Sequence, residues 1–280
     1  MTRISSGTAT GLKRLLSSTV LFRLTHPRKT HLYGVGTGKS GTHSLAAIFG
    51  DRLRTVHEPE RFKVIDVILD IAAGRIKGAQ LSRYILKRDR RLWLEVDSSQ
   101  LNFFLLDKLV ELFSQAKFIL TIRNPYAWLD SSINHQLGLG RSEKWIQLHN
   151  LRYRPDLHTH TQLEAPLKEK GLYTLDGYLS YWARHNRTVI NNVPKDRLLI
   201  IRTDQLGENM AEIAKFAGVS RSIMNEERSH TFKARQKFNV LRELDQKYLG
   251  DKINQHCGDL LGQLFPEGQD ATGGLSIRAR

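Results

Sequence analysis

The run HLYGVGTGKSGTHSL, from His31 to Leu45, sets four glycines, a lysine and four small hydroxyl residues side by side. Gly34, Gly36, Gly38 and Gly41 can take positive φ and let the backbone approach a ligand closely. Apolar spacing beyond them predicts a helix over 40–50, whose first N–H groups and dipole favour negative charge at the turn. Lys39 adds a full positive charge there, and Ser40, Thr42 and Ser44 add hydroxyl donors beside His43. Those residue types in that order make a site for an anion the size of phosphate or sulfate.

A second run, TIRNPYAWLDSSINH, supplies another grip. Its apolar start ends on Arg123, Asn124-Pro125 turns the chain into a helix, and Ser131 follows eight residues after the arginine. An arginine at the carboxyl end of a strand points into the ligand crevice of an open α/β sheet. Its guanidinium can hold an oxyanion bidentately, with the Ser131 hydroxyl as a further donor. Together the two grips imply a ligand with two separated phosphate-like ends.

The first loop alone is compatible with several owners. A P-loop needs glycine five residues before Gly38, where Tyr33 stands, and its partner acid would be Asp97, in a run broken by Glu95. The dinucleotide fingerprint is met literally by GTGKSG at 36–41, with Glu58 twenty residues after Gly38, near where a ribose-binding acid belongs. The second run decides between them.

Positioning these residues requires a sheet. Strands are expected at 31–35, 54–58, 91–97, 117–123 and 197–204, and helices at 40–50, 61–73, 77–88, 99–115 (capped by Ser99) and 172–192. The near-continuous apolar run KFILTI is that of a buried parallel strand. The alternation predicts an α/β fold of three layers, a central parallel sheet of about five strands with helices on both faces. Residues 1–29 form a basic, Ser/Thr-rich extension with an apolar patch from Leu15 to Leu24, and 30–280 a single domain. Within that domain 136–171 is polar and histidine-containing, and is expected as an irregular insertion capping the site.

Lys and Arg outnumber Asp and Glu by 43 to 28, a net charge of +15, which directs the surface toward anionic partners. The single cysteine, Cys257, excludes an internal disulfide and a cysteine-built zinc site, and its apolar-periodic setting predicts a packed core thiol. No segment reaches the about 20 apolar residues of a membrane span. STVLF before Arg23 is too short for one and has no small-residue cleavage site after it. The expectation is a soluble cytoplasmic protein, with an anionic membrane surface as a peripheral contact. The sequon at Asn186 falls inside a helical pattern, and His158 and His160 read as solvated loop histidines.

On these runs the sequence resembles the sulfotransferases that use 3′-phosphoadenosine 5′-phosphosulfate (PAPS). GTGKSGTHSL is similar to their 5′-phosphosulfate loop and IRNPYAWLDSS to their 3′-phosphate motif. YWARHNRTVI, DRLLIIRTDQL and FAGV resemble their later helix, final strand and following helix, so the likeness spans roughly 30–240. It implies a fold like that of the P-loop NTPases, and it implies that Gly38, Lys39, Ser40, Gly41, Thr42, His43 and Ser44 hold the 5′-phosphosulfate. Arg123 and Ser131 would hold the 3′-phosphate, with adenosine 3′,5′-bisphosphate as product and no metal. The implied reaction is an in-line transfer of the sulfuryl group to an acceptor hydroxyl, on a glycan, lipid or other alcohol and not on nucleic acid. Lys39 would neutralise the leaving phosphate while a base takes the acceptor's proton.

For that base TVHEPE offers His57, Glu58 and Glu60 at the end of the second strand. Glycan- and tyrosine-directed members carry a glutamate at about this distance, which implies Glu58, with His57 as the other candidate. Asp97 and Ser99 are expected to line the same crevice. A late basic stretch sets Lys233, Arg235 and Lys237 where the family closes a loop over the nucleotide, although the family's glycine-rich closing motif is absent. Two alternatives use the same residues: a nucleotide kinase or NAD-type enzyme, and a non-catalytic binder of polyanions.

Overall fold

The computed structural model describes residues 19–50, 52–138, 142–230 and 237–266. Lys233, Arg235 and the first 18 residues of the basic extension lie outside them. Five strands, β1 (Leu32–Gly34), β2 (Thr55–His57), β3 (Val96–Ser98), β4 (Lys117–Ile122) and β5 (Leu198–Arg202), form one sheet. Their order is β2-β3-β1-β4-β5 and every neighbouring pair is parallel. The chain leaves β1 toward β2 on one side, then returns through β3 and crosses β1 to reach β4 and β5. The crossover direction therefore reverses at β1, and such a reversal opens a crevice at the carboxyl ends of the strands.

Helices cover both faces. They are α1 (Val20–Thr25), α2 (Thr42–Phe49), α3 (Arg61–Ala72), α4 (Gly78–Leu92), α5 (Leu106–Leu112) and α6 (Pro125–Gly138), followed by α7 (Glu143–Tyr153), α8 (Ala165–Glu169), α9 (Leu175–Asn192), α10 (Met210–Ala217) and α11 (Gln246–Leu264). Successive strand residues point to opposite faces, so Ile119 packs with Leu32, Leu45, Phe49 and Ile213, while Phe118 and Leu120 pack with Tyr33, Ile65, Ile68 and Leu109. Burial on both sides is why β4 is apolar at nearly every position. A third cluster joins α6, α9 and α11 through Trp128, Tyr178, Trp182 and Ile253, and the buried thiol of Cys257 lies in it as expected.

Several boundaries differ from the sequence reading. The third strand begins at Val96, not Arg91, because α4 runs on to Leu92 and ends on Trp93 in the left-handed conformation. The stretch after Ser99 is not one helix. Ser99 caps a 3-10 turn over Gln100–Leu105, and α5 begins only after it. There the Asn102 side-chain amide donates to the carbonyls of Gly34 and Asp97 and ties the turn to the sheet. The 136–171 segment is not irregular: α6 runs on to Gly138, and α7 and α8 occupy much of the rest. Helix α1 buries none of its residues, and Val20, Leu21 and Leu24 are exposed. Asn186 is fully buried in α9. No helix among the described residues is long and apolar enough to cross a membrane.

Candidate active site

The loop after β1 stays against the sheet before it turns. The Val35 N–H donates to the Ile119 carbonyl (2.9 Å), and a Cβ on Gly36 would stand closer than 3.0 Å to Thr121, so only glycine lets the loop lie there. Lys39 (φ 68°) and Gly41 (φ 98°) are both left-handed and swing the chain into α2. The first N–H groups of α2, on Thr42, His43 and Ser44, have no acceptor within the helix. Those three residues line a cleft of about 1570 Å³ at the carboxyl ends of the strands, together with Gly38, Lys39 and Gly41. Ser40 does not line it. Its hydroxyl turns inward and donates to the Thr37 carbonyl (2.7 Å), which corrects its reading as a side-chain donor to the ligand.

The loop is pinned from three directions. Trp128 Nε1 donates to the Gly38 carbonyl (2.7 Å), and Trp182 Nε1 donates to the Arg123 carbonyl (3.2 Å). The Thr203 hydroxyl lies 2.6 Å from the Ser40 carbonyl and 3.0 Å from that of Ile122. Asn124 caps α6 by accepting from the Tyr126 N–H (3.0 Å), and Pro125 fits at the first helical position, where no N–H is needed. This geometry delivers Arg123 and Ser131 to the same cleft as Lys39. Burial pushes the Lys39 ammonium below its ordinary value, and the nearby Arg123 guanidinium pushes it further. Burial also lowers Arg123, although Asp130 and Asp204 oppose that effect. Two partly desolvated cations crowd one cleft, and an anion between them would reverse both penalties.

The opposite wall begins at β2. Glu58 (φ 50°) follows it, held by a backbone bond from its N–H to the Ser98 carbonyl (3.1 Å). Its Oε1 accepts from the Gln100 side-chain amide at 2.6 Å, and Gln100 Oε1 accepts from Arg152 Nη1 at 2.9 Å. His57 Nε2 lies 3.2 Å from the Thr42 hydroxyl, and its ring stands edge-on to His43 with centroids 5.0 Å apart. Burial lowers His57 below its ordinary value and His43 adds to this, while Glu58 opposes it, so the imidazole is neutral near pH 7. Both Glu58 and His57 line the cleft.

Four more expected residues do not. Glu60 is paired with Arg91 outside the cleft. Asp97 forms a buried ion pair with Arg88 (2.8 Å), and Ser99 caps the 3-10 turn through the Leu101 N–H. Lys237 is exposed and away from the lining. His160 Nε2 contacts the Leu172 carbonyl (3.1 Å) and is not a free loop residue. Among the described residues no group of three or more His, Cys, Asp or Glu could hold a metal ion.

Sequence reading missed Arg61, Gln100, His135, His149, Arg152 and Tyr181, all of which line the cleft. None stands in a motif of its own; His135, at the end of TIRNPYAWLDSSINH, and Tyr181, inside YWARHN, lie in stretches the sequence singled out but carried no assigned role there. Burial, and then the charge of Lys39, lower His135 below its ordinary value.

A family model described as a sulfotransferase domain matches residues 32–225, the span from β1 to beyond β5 that builds both walls. The chain belongs to the sulfotransferase family. No curated protein sequence matches it. Among solved structures, this sulfotransferase is similar to one from Alicyclobacillus acidocaldarius, with 12% identity and a TM-score of 0.46, over 84% of this chain and 95% of that one. It is also similar to sulfotransferase STF9 from Mycobacterium avium, with 13% identity and a TM-score of 0.47, over 88% and 79% of the two chains. Mouse sulfotransferase SULT7A1, solved in complex with PAP, shares 17% identity at a TM-score of 0.34, over 89% and 74%.

Proposed function

We propose that this sulfotransferase uses PAPS as donor and moves its sulfuryl group onto a hydroxyl of an acceptor, with Glu58 as the base. The observation that supports this most is the shared cleft. Two partly desolvated cations, Lys39 and Arg123, come from neighbouring strands, and one carboxylate, Glu58, comes from across the sheet. The residues present suit such a donor. The α2 N–H groups and Lys39 would hold the 5′-phosphosulfate, and Arg123 with the Ser131 hydroxyl the 3′-phosphate. In the transfer the acceptor oxygen bonds to sulfur as the bond from sulfur to the bridging oxygen breaks. Glu58 takes the acceptor's proton, and Lys39 balances the charge left on the phosphate. His57 is the rival base, being neutral and beside the same loop. The acceptor is a glycan, a lipid or another alcohol.

Calorimetry with adenosine 3′,5′-bisphosphate in the presence of a chelator tests the donor half. Tight binding is expected, with adenosine 5′-monophosphate much weaker because it lacks the 3′-phosphate that Arg123 meets. A response only to magnesium-ATP, only to NAD, or only to polyanions and abolished by salt, would overturn it. Radiolabelled PAPS incubated with pooled glycans, lipids, peptides and phenols then identifies the acceptor class.

A further inference from the structure

Arg152 is a buried cation in the cleft that the sulfotransferase chemistry leaves without a task. It sits on α7 with 3% of its surface exposed, and no carboxylate among the described residues lies within ion-pairing distance of it. Its Nε and Nη2 have no hydrogen-bond partner among the described residues. The guanidinium stands 5.6 Å from the Phe104 ring and 5.5 Å from the Tyr181 ring. Burying a cation without an adjacent counter-charge is expensive, and an apolar side chain of similar volume would serve packing better. Among the described residues its one side-chain hydrogen bond goes to Gln100 Oε1.

We infer that Arg152 and Gln100 form a positioning relay that orients the Glu58 carboxylate for proton removal. A glutamine amide can sit either way round, and its two ends differ only in what they accept or donate. A guanidinium can only donate, so Arg152 fixes the oxygen end of Gln100 toward itself. The amino end must then face Glu58, where it donates to Oε1 at 2.6 Å. A carboxylate accepts that bond and keeps Oε2, which makes no hydrogen bond among the described residues, for the acceptor's hydroxyl. With the amide reversed, two oxygens would meet and Glu58 would be driven off its position. Gln100 also reads the phosphate loop: a Cβ on Gly38 would fall closer than 3.0 Å to Gln100 Oε1, so Gly38 leaves the space in which the amide lies. The relay thus runs from an α7 cation through Gln100, past the anion loop, to the carboxylate. It rests on the assignment of Glu58 as base, not on the identity of the acceptor.

The test is nuclear magnetic resonance of the side-chain amide of Gln100 in uniformly ¹⁵N-labelled full-length protein, with and without adenosine 3′,5′-bisphosphate. Gln100→Met assigns the signal by its loss. One amide proton is expected far downfield because it faces a carboxylate, and Glu58→Gln should return it to the ordinary range. Arg152→Met should free the amide to reorient and abolish the displaced signal, while Arg152→Lys, which still donates, should restore it. Once an acceptor is identified, Arg152→Met should lower kcat roughly 10- to 100-fold with nucleotide affinity unchanged. A displaced signal that persists in Arg152→Met overturns the relay. So does its absence from the parent protein, whatever the variants do. Failure of the PAPS reading would appear separately, as absence of nucleotide binding in the calorimetry, while the nucleotide-free spectrum still decides the relay.

Discussion

The two walls of the cleft are built in different ways. The wall at β1 and β4 is made of main chain: left-handed turns at Lys39 and Gly41, helix N–H groups, and carbonyls pinned by Trp128, Trp182 and Thr203. The wall at β2 and α7 is made of long side chains that meet from distant parts of the sequence, Glu58, Gln100 and Arg152. A main-chain wall depends on where the strands end, so it tolerates changes of side chain that keep the turn. A side-chain wall depends on each partner's chemical identity. The first suits a donor that is always the same, and the second can be changed to suit an acceptor.

If that division holds, substitutions on the two walls should fail in different ways. Glu58→Gln keeps the shape and removes the basicity, so turnover should fall roughly 10²–10⁴-fold with nucleotide binding near the parent's. If His57→Ala abolishes turnover while Glu58→Gln spares it, the histidine is the base and the side-chain wall needs redrawing. Lys39→Ala should lower turnover about 10²–10³-fold, more than it weakens nucleotide affinity, because the charge matters most as the leaving phosphate develops. A change confined to the Michaelis constant would make Lys39 a binding residue only. Arg123→Ala should weaken adenosine 3′,5′-bisphosphate by about 2–3 kcal/mol and leave adenosine 5′-monophosphate little changed. Equal loss for both ligands would remove the 3′-phosphate from this residue.

A pH-dependent effect tests how the two walls are joined. His185 donates from Nε2 to the Val35 carbonyl (2.7 Å) beneath the loop, and its Nδ1 faces the Tyr181 hydroxyl (3.2 Å) beside Arg152. Burial pushes its imidazole down to about 3, against about 6.5 in an unfolded chain. Below pH ~6.5 the unfolded chain therefore takes up a proton that the folded one refuses. Stability from this residue is complete above that pH and falls by up to about 1.4 kcal/mol per pH unit down to about pH 3. Thermal melting of parent and His185→Gln across that range measures it. Parallel curves would assign the titration elsewhere.

The main-chain wall was legible in the sequence because its signals are local. Glycine spacing, a lysine in the turn, and arginine at the end of an apolar run each lie within about a dozen residues, and the structure brings Lys39, Arg123 and Ser131 to one cleft. Ser40 was misread because the left-handed residue before it turns its hydroxyl inward, an effect of φ that residue type does not carry. Arg152 was invisible: among 43 Lys and Arg residues nothing beside it marks it, and its burial arises only when α7 folds over Gln100. Asp97 was misplaced for the same reason, since Arg88, which neutralises it, arrives on α4. The third strand was drawn too long because RLWL reads as apolar alternation while its first residues complete a helix.

Thr203 carries a consequence for what length of ligand the cleft accepts. Its hydroxyl has one hydrogen and two carbonyls to give it to, those of Ser40 and Ile122. The first belongs to the residue after Lys39 and the second to the residue before Arg123. A single oxygen atom therefore acts as a gauge block between the two cations, setting the gap that a doubly anionic molecule must span. Removing that one atom, as Thr203→Val would, leaves both cations in place and takes away the measure between them.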